Sequence, residues 1–264
     1  MLFEYKDVDN RFYKENLKEF LPEKIIDIHT HVWLREFKKK QEGEQRTVTW
    51  PSLVADQNPI EDLQETYRIM FPDKKVTPLI FPSVGRPGDN IEGANKYVAD
   101  VSRSSGSPAL IFSVPRWSAE EFEQKVSEGS FLGAKSYLTA ADPSIPADEI
   151  TIFDYFPHHQ LEVMNRRGWI MMLHIPRSGR LKDPVNLEQL QEIDQKYPNL
   201  KCIVAHIGRA YCNEDSGNAF EILAQTENLY FDISANTNSH IFECALTAFG
   251  PDRMLFGSDM PILR

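Results

Sequence analysis

Ile25-Ile26-Asp27-Ile28-His29-Thr30-His31-Val32-Trp33 is a β-branched, apolar run that carries two histidines two residues apart. Alternation along a strand sends side chains i and i+2 to the same face, so His29 and His31 leave it together. Two neutral imidazoles on one rigid strand make half of a site for a divalent cation. A catalytic site of that kind needs one or two further nitrogen or oxygen ligands and an open position.

Outward from that strand, short apolar runs alternate with helical patterns, the signature of βα units around a parallel sheet. The further runs are Val76–Val84, Ala109–Pro115, Gly133–Thr139, Trp169–Ile175, Lys201–Ile207, Leu229–Ser234 and Met254–Ser258. Eight strands close a barrel, and 264 residues fit one α/β domain, a (β/α)8 TIM barrel of about 250 residues. Helices are expected at Ile60–Met70, Asn90–Ser104, Ser118–Glu128, Ile152–Arg167, Leu187–Tyr197 and His240–Phe249. Ser118 is placed to cap its helix with Glu121 at N3, and Gly106, Gly129, Gly168, Pro198 and Gly250 are the stops.

The whole chain, residues 1–264, reads as a single domain. Residues 1–24 form an N-terminal extension with a helix over 8–20, and residues 34–58 form a long polar loop after the first strand, of the kind that carries function. Five residues follow Asp259, so the final helix of the barrel is expected to be missing. An uncovered seam between the last and first strands would expose apolar surface and favour a homo-oligomer.

A formal charge of -10 argues against nucleic acid as a partner, because phosphate binding relies on basic surface. Lys38-Lys39-Lys40 reads as a solvated loop. Cys202, Cys212 and Cys244 form neither a CxxC pair nor a secreted disulfide framework, the N-terminus is no signal peptide, and no apolar run approaches the roughly 18 residues of a membrane span. The expectation is a cytoplasmic protein with free thiols and no membrane partner.

Four further polar residues fall on later strands: His174, His206 and Asp259 at strand ends, and Lys135 inside Gly133-Ala-Lys-Ser-Tyr. In a closed barrel such ends converge at the C-terminal mouth. A lone buried histidine is commonly a hydrogen-bonded core residue, and a lone Asp259 could cap a helix. His29, His31, His174, His206 and Asp259 together on four strands make a stronger case for a metal. Arg116, Arg177 and Arg209 follow strands three, five and six, where guanidinium groups would clamp the carboxylate of a small-molecule substrate. Trp33, Arg35, Tyr137 and Trp117 would line its pocket. Lys135 is expected to anchor substrate or to pair with a carboxylate such as Asp27 or Asp232. Asp232 reads as core-paired, and His158, His159 and His240 as structural or exposed.

Asp27-x-His29-x-His31, His174, His206 and Gly257-Ser258-Asp259-Met260-Pro261 together resemble the amidohydrolase superfamily, in its amidohydrolase-2 branch, over residues 25–261. The resemblance implies one divalent metal per chain, zinc with manganese as the alternative, held by His29, His31, His174 and Asp259. It further implies that His206 acts on metal-activated water while Asp259 can also shuttle the proton. In binuclear members of the superfamily a carboxylated lysine on the fourth strand bridges two metals, and Lys135 falls there. The branch holds both hydrolases and non-oxidative decarboxylases. The reading is therefore a metal-dependent hydrolase acting on a lactone, amide or related carbonyl of a small carboxylated substrate. The alternative is a decarboxylase of an aromatic or unsaturated acid, and a metal-stabilised scaffold without turnover comes third.

Overall fold

The computed structural model describes residues 3–39, 54–83 and 85–262. Eight short parallel strands follow one another in chain order: β1 Lys24–His31, β2 Lys75–Phe81, β3 Ile111–Phe112, β4 Gly133–Lys135, β5 Ile170–Leu173, β6 Lys201–Val204, β7 Leu229–Asp232 and β8 Met254–Leu255. They form two parallel ladders, β1 with β2, and β3 through β8 in sequence order. Single bridges join the ladders at both edges, Ile80 to Ala109 and Thr30 to Met260. All eight expected strands are present, within their apolar runs or a residue of them. Most stop short at the C-terminal end, where the chain leaves the ladder to build the mouth.

The helices are α1 Asp7–Phe12, α2 Ile60–Met70, α3 Ile91–Ser105, α4 Ala119–Glu128, α5 His158–Arg167, α6 Pro184–Lys196, α7 Ala219–Leu223 and α8 Ser239–Phe249. Asn90 and Ser118 cap α3 and α4 by accepting the N–H of Gly93 and Glu121, which satisfies donors that a helix start leaves open. The N-terminal extension continues past α1 as a π-turn over Tyr13–Leu17. Tyr13 ties it to Asp73, and Lys74 Nζ to the Leu21 carbonyl at 2.9 Å.

Four expectations need correction. The helix read over Ile152–Arg167 is split: a 3-10 turn occupies Ile152–Asp154 and α5 begins at His158, because Pro157 disfavours helical backbone at Phe156. The next helix starts three residues earlier than its apolar periodicity suggests, with Pro184 in its first turn and Asp183 accepting the Val185 N–H. The short α7 was not anticipated. Lys38 is not solvated loop: its Nζ lies 3.3 Å from Asp89 and its side chain is 27% exposed.

Side chains segregate into an inner and an outer layer. Leu79, Phe81, Leu110, Met172, Ile203 and Ala205 fill the ring, with Ile28, Ile170, Tyr230 and Leu255 against them. Their alternating neighbours, such as Met171, Leu173, Val204 and Phe231, pack outward with helix residues such as Leu63, Val98, Phe122, Leu161 and Ile241. Gly133 lets β4 approach β5: at φ +150° a Cβ there would sit 1.9 Å from the Ile170 carbonyl oxygen. Some apolar surface is left open on and beside the edge strands, with Ile26 on β1 and Phe256 after β8 exposed.

β1 does not keep a constant alternation. Asp27 pairs with Pro78, yet Thr30 pairs with Ile80, so β1 carries one extra residue. Such a bulge re-aims the side chains beyond it. Ile28 faces the inner layer, while Asp27 turns outward and accepts the Tyr67 hydroxyl of α2 at 2.8 Å. His29 and His31 then both enter the mouth.

The polar stretch after β1 is fastened at both ends. Trp33 and Asn58 exchange backbone hydrogen bonds of 3.0 and 2.9 Å, and Asn58 Nδ2 donates to the His31 carbonyl at 2.7 Å. Of this loop, residues 40–53 lie outside the described residues. Among the described residues no helix is long and apolar enough to cross a membrane.

Candidate metal centre

Five residues expected to bear metal chemistry converge at the mouth, all of them buried or nearly so. Their nitrogen and oxygen atoms form two overlapping groups, His29 with His174 and His206, and His29 with His31 and Asp259. His29 belongs to both.

Hydrogen-bond partners fix which imidazole nitrogen carries the proton. His29 Nδ1 lies 2.9 Å from Asp232 Oδ2, and His31 Nδ1 lies 3.1 Å from the Pro82 carbonyl. Both partners only accept, so each Nδ1 is assigned the hydrogen and each Nε2 keeps a lone pair. Those two Nε2 atoms lie 3.4 and 3.3 Å from one Asp259 oxygen. Three acceptors thus face one another, and the buried His29 Nε2 has no hydrogen-bond partner. A divalent cation resolves this: ligand bonds of about 2.0–2.1 Å at tetrahedral angles place neighbouring ligand atoms about 3.3–3.4 Å apart. The residues fit a metal.

His206 Nδ1 contacts the Ser234 carbonyl at 3.0 Å and its hydroxyl at 2.9 Å, which aims Nε2 at His174 Nε2, 2.7 Å away. The geometry brings His206 as close to His29 as His174, so distance alone does not separate ligand from base. On its far side His174 meets Lys135, with Nζ 2.8 Å from Nδ1.

Lys135 is fully buried, over the Phe81 ring at 5.0 Å. Burial pulls its ammonium down to about 7 despite the charges of Asp259 and Asp232. Its partner is thus His174 and not Asp27, which lies outside the ring.

Asp232 organises the cluster from beneath. Its Oδ2 accepts His29 Nδ1–H, and its Oδ1 accepts the backbone N–H of His206 at 3.1 Å, that of Ser234 at 3.0 Å, and the Ser234 hydroxyl. Burial opposes its charge, yet His29 and these donors hold the carboxyl well below the usual carboxylate range. Gly257 allows the strands to close here, since a Cβ would come within 2.9 Å of the His29 Cβ.

His206, Ile207, Gly208 and Arg209 form a turn with φ values of 58°, 49°, 60° and 60°. Left-handed backbone at a non-glycine residue costs of order 1–2 kcal/mol, and such strain concentrates at functional sites. The turn carries both His206 and Arg209. Asp259 is left-handed too, at φ 55°. None of this is written in propensity.

The expected substrate contacts fare unevenly. Arg209 reaches the Ile175 carbonyl at 3.4 Å and sits close enough to Tyr137 and Tyr211 to influence both phenols. Tyr137 packs its ring edge-on against His174 at 5.1 Å. Arg177, by contrast, is engaged by Asp183 at 3.1 Å, and Arg116 points to solvent. Trp33 is buried and donates to the Asp56 carbonyl, Trp117 is buried under Lys125, and Arg35 pairs with Asp56. His158 and His159 bond Tyr197 and the Trp117 carbonyl, and His240 faces Cys244 on α8.

Sequence reasoning missed Ser234, Tyr67 and the Pro82 carbonyl. Ser234, two residues past Asp232 on the same strand end, had a readable signal. The other two depend on the fold.

Burial lowers His29 to about 4 and pulls His31 and His174 down as well. In the unfolded chain these histidines titrate near 6.5. Groups with depressed folded values contribute stability above the unfolded value, which is lost as pH falls toward the folded one. His29 alone should cost the metal-free protein about 2 kcal/mol at pH 5. Asp27, raised to about 6 by burial, acts the other way and returns roughly 1 kcal/mol between pH 7 and 5. Three histidines outweigh one carboxyl, so the thermal midpoint of the chelator-treated protein should fall steadily from pH 7 to 5; a flat profile would contradict neutral buried histidines.

The amidohydrolase-2 family model, described as amidohydrolase, matches residues 26–264, and the chain belongs to this family. It is an enzyme of the metal-dependent amidohydrolase type. No curated relative matches it in sequence. Among solved structures it is similar to an amidohydrolase from Burkholderia multivorans with bound zinc, at TM-score 0.62 and 14% identity over 90% of this chain and 84% of the other. A putative 2-pyrone-4,6-dicarboxylic acid hydrolase from Pseudomonas putida aligns at TM-score 0.60 and 14% identity, over 91% and 84%. The 5-carboxyvanillate decarboxylase LigW from Sphingomonas paucimobilis aligns at TM-score 0.56 and 13% identity, over 91% and 89%. At these identities the likeness is one of fold.

Proposed function

We propose that the enzyme hydrolyses a lactone, amide or related carbonyl of a small carboxylated substrate with one divalent metal, zinc by preference, held by His29, His31, His174 and Asp259. The observation that carries this reading is the convergence of the His29 and His31 Nε2 lone pairs on one Asp259 oxygen, at 3.4 and 3.3 Å. When bound, such a cation supplies Lewis-acid polarisation of a carbonyl and lowers the pKa of water from 15.7 toward about 7.

The chain's own residues do the rest. His206, its Nδ1–H held by Ser234, offers Nε2 as a proton acceptor, the role of a general base. Arg209 beside Tyr137 and Tyr211 supplies a cation for the substrate carboxylate. The inner layer of Phe81, Met172 and Ile203 keeps bulk water from entering below.

The decarboxylase named among the similar folds supports a second reading, in which the same groups protonate carbon as carbon dioxide leaves. Metal content by elemental mass spectrometry, followed by assay of lactones and carboxylated aromatic acids, decides between the two. About one zinc or manganese per chain, with ester or lactone cleavage and no carbon dioxide, is the expected result. Carbon dioxide release would transfer the assignment to the decarboxylase. Absence of metal that no addition restores would overturn both.

A further inference from the structure

We propose that Asp27 is a positioning residue that fixes the distance between the histidine strand and the Asp259 segment by accepting two backbone N–H groups on one oxygen. The inference rests on the metal reading above and goes beyond it, since Asp27 touches none of the candidate ligand side chains.

The observation is an irregularity where β1 meets the chain after β8. Ile28 N donates to the Phe256 carbonyl at 2.9 Å, and three residues on, His31 N donates to the Met260 carbonyl at 2.8 Å. β1 therefore advances three residues while the other segment advances four. In an evenly spaced parallel ladder the Ser258 N–H would bond the Ile28 carbonyl and the next β1 donor would follow in step. Here Ser258 N donates to Asp27 Oδ1 at 2.9 Å, and His29 N donates to the same oxygen at 3.2 Å. The carboxylate stands in for the ladder acceptor at the slip.

The second oxygen is held by the Tyr67 hydroxyl at 2.8 Å, so the side chain cannot rotate away, and Asp27 is fully buried. Each of the two backbone donors belongs to, or adjoins, a residue of the cluster: His29 itself, and Ser258 next to Asp259. Asp259 N in turn donates to the His29 carbonyl at 2.8 Å. Removing the shared acceptor leaves the buried His29 N–H and the part-buried Ser258 N–H without their partner, which favours movement of the segment. Asp259 would move with it, away from the two Nε2 atoms it now faces.

The experiment uses cobalt(II) as probe on chelator-treated wild type, Asp27→Ala, Asp27→Asn and Tyr67→Phe. Affinity is read by competition with a chromophoric chelator, coordination by the visible absorption of the bound ion, and folding by far-ultraviolet circular dichroism. Outer partners of metal ligands commonly set affinity by 10–100-fold. Asp27→Ala is expected to bind at least tenfold more weakly with an altered spectrum. Asp27→Asn, which keeps an oxygen for both N–H groups, should stay within about threefold of wild type with the same spectrum. An Ala variant that matches wild type, or an Asn variant as impaired as Ala, would overturn the proposal.

Should Asp27→Ala not fold, Tyr67→Phe carries the test: a several-fold loss is expected because Oδ2 is freed, and unchanged affinity overturns the proposal. If wild type itself takes no cobalt, the metal reading fails separately. The Asp27 link is then read from hydrogen exchange at the Ser258 amide, which should be protected in wild type and exposed in the Ala variant; an unprotected amide in wild type overturns it.

Discussion

His29→Ala should lose the metal and lower turnover by three or more orders of magnitude while the circular dichroism spectrum stays that of a folded barrel. His29 is the member common to both groups of candidate ligands, so its removal takes a nitrogen from each. His31→Ala breaks one group only and should retain weakened metal. The order of the two effects is the informative part. Elemental analysis after dialysis, with dissociation constants from chelator competition, checks it; His31→Ala as damaging as His29→Ala would show that membership of both groups gives His29 no extra weight.

Asp232→Asn should fold, yet bind metal at least 100-fold more weakly. The argument is one of tautomers. Asp232 Oδ2 accepts the Nδ1–H of His29, which leaves Nε2 free to bind a cation. An amide nitrogen in that place donates instead, so His29 Nδ1 becomes the acceptor and Nε2 carries the hydrogen. A protonated nitrogen is no ligand. Asp232→Ala should do worse in a different way, because four donors lose their acceptor at once and each buried unpaired group costs about 1–3 kcal/mol. Thermal unfolding of the metal-free proteins separates the two. Near-equal melting for Asn and wild type, with a large drop for Ala, is expected; wild-type metal affinity in Asp232→Asn would sink the tautomer argument.

The strands were legible because their apolar runs are short, β-branched and separated by capped helices: Ile60–Met70 is found at its expected bounds, and Ser118 caps where a Ser-x-x-Glu pattern places it. The gathering of His29, His31, His174, His206 and Asp259 was legible for a related reason. Strand ends of one barrel point to one mouth, so order along the chain becomes proximity in space. What could not be read lies where local rules are broken. A period of two puts Asp27 on the face of His29, and only the bulge in β1 turns it to Tyr67. No propensity marks His206, Ile207 and Arg209 for left-handed backbone, since that conformation is imposed by the strands on either side. Arg177 looked like a mouth residue from its position after His174, and Asp183, which caps α6, takes it instead.

The lone pair that His29 Nε2 leaves without a partner has a consequence for the chain's abundance in a cell. An ion that binds the folded chain alone adds RT ln(1 + [L]/Kd) to its stability, about 2.7 kcal/mol at a hundred times Kd. Ion supply then enters the folding equilibrium itself, so scarcity of the ion would thin the protein by proteolysis as well as silence it.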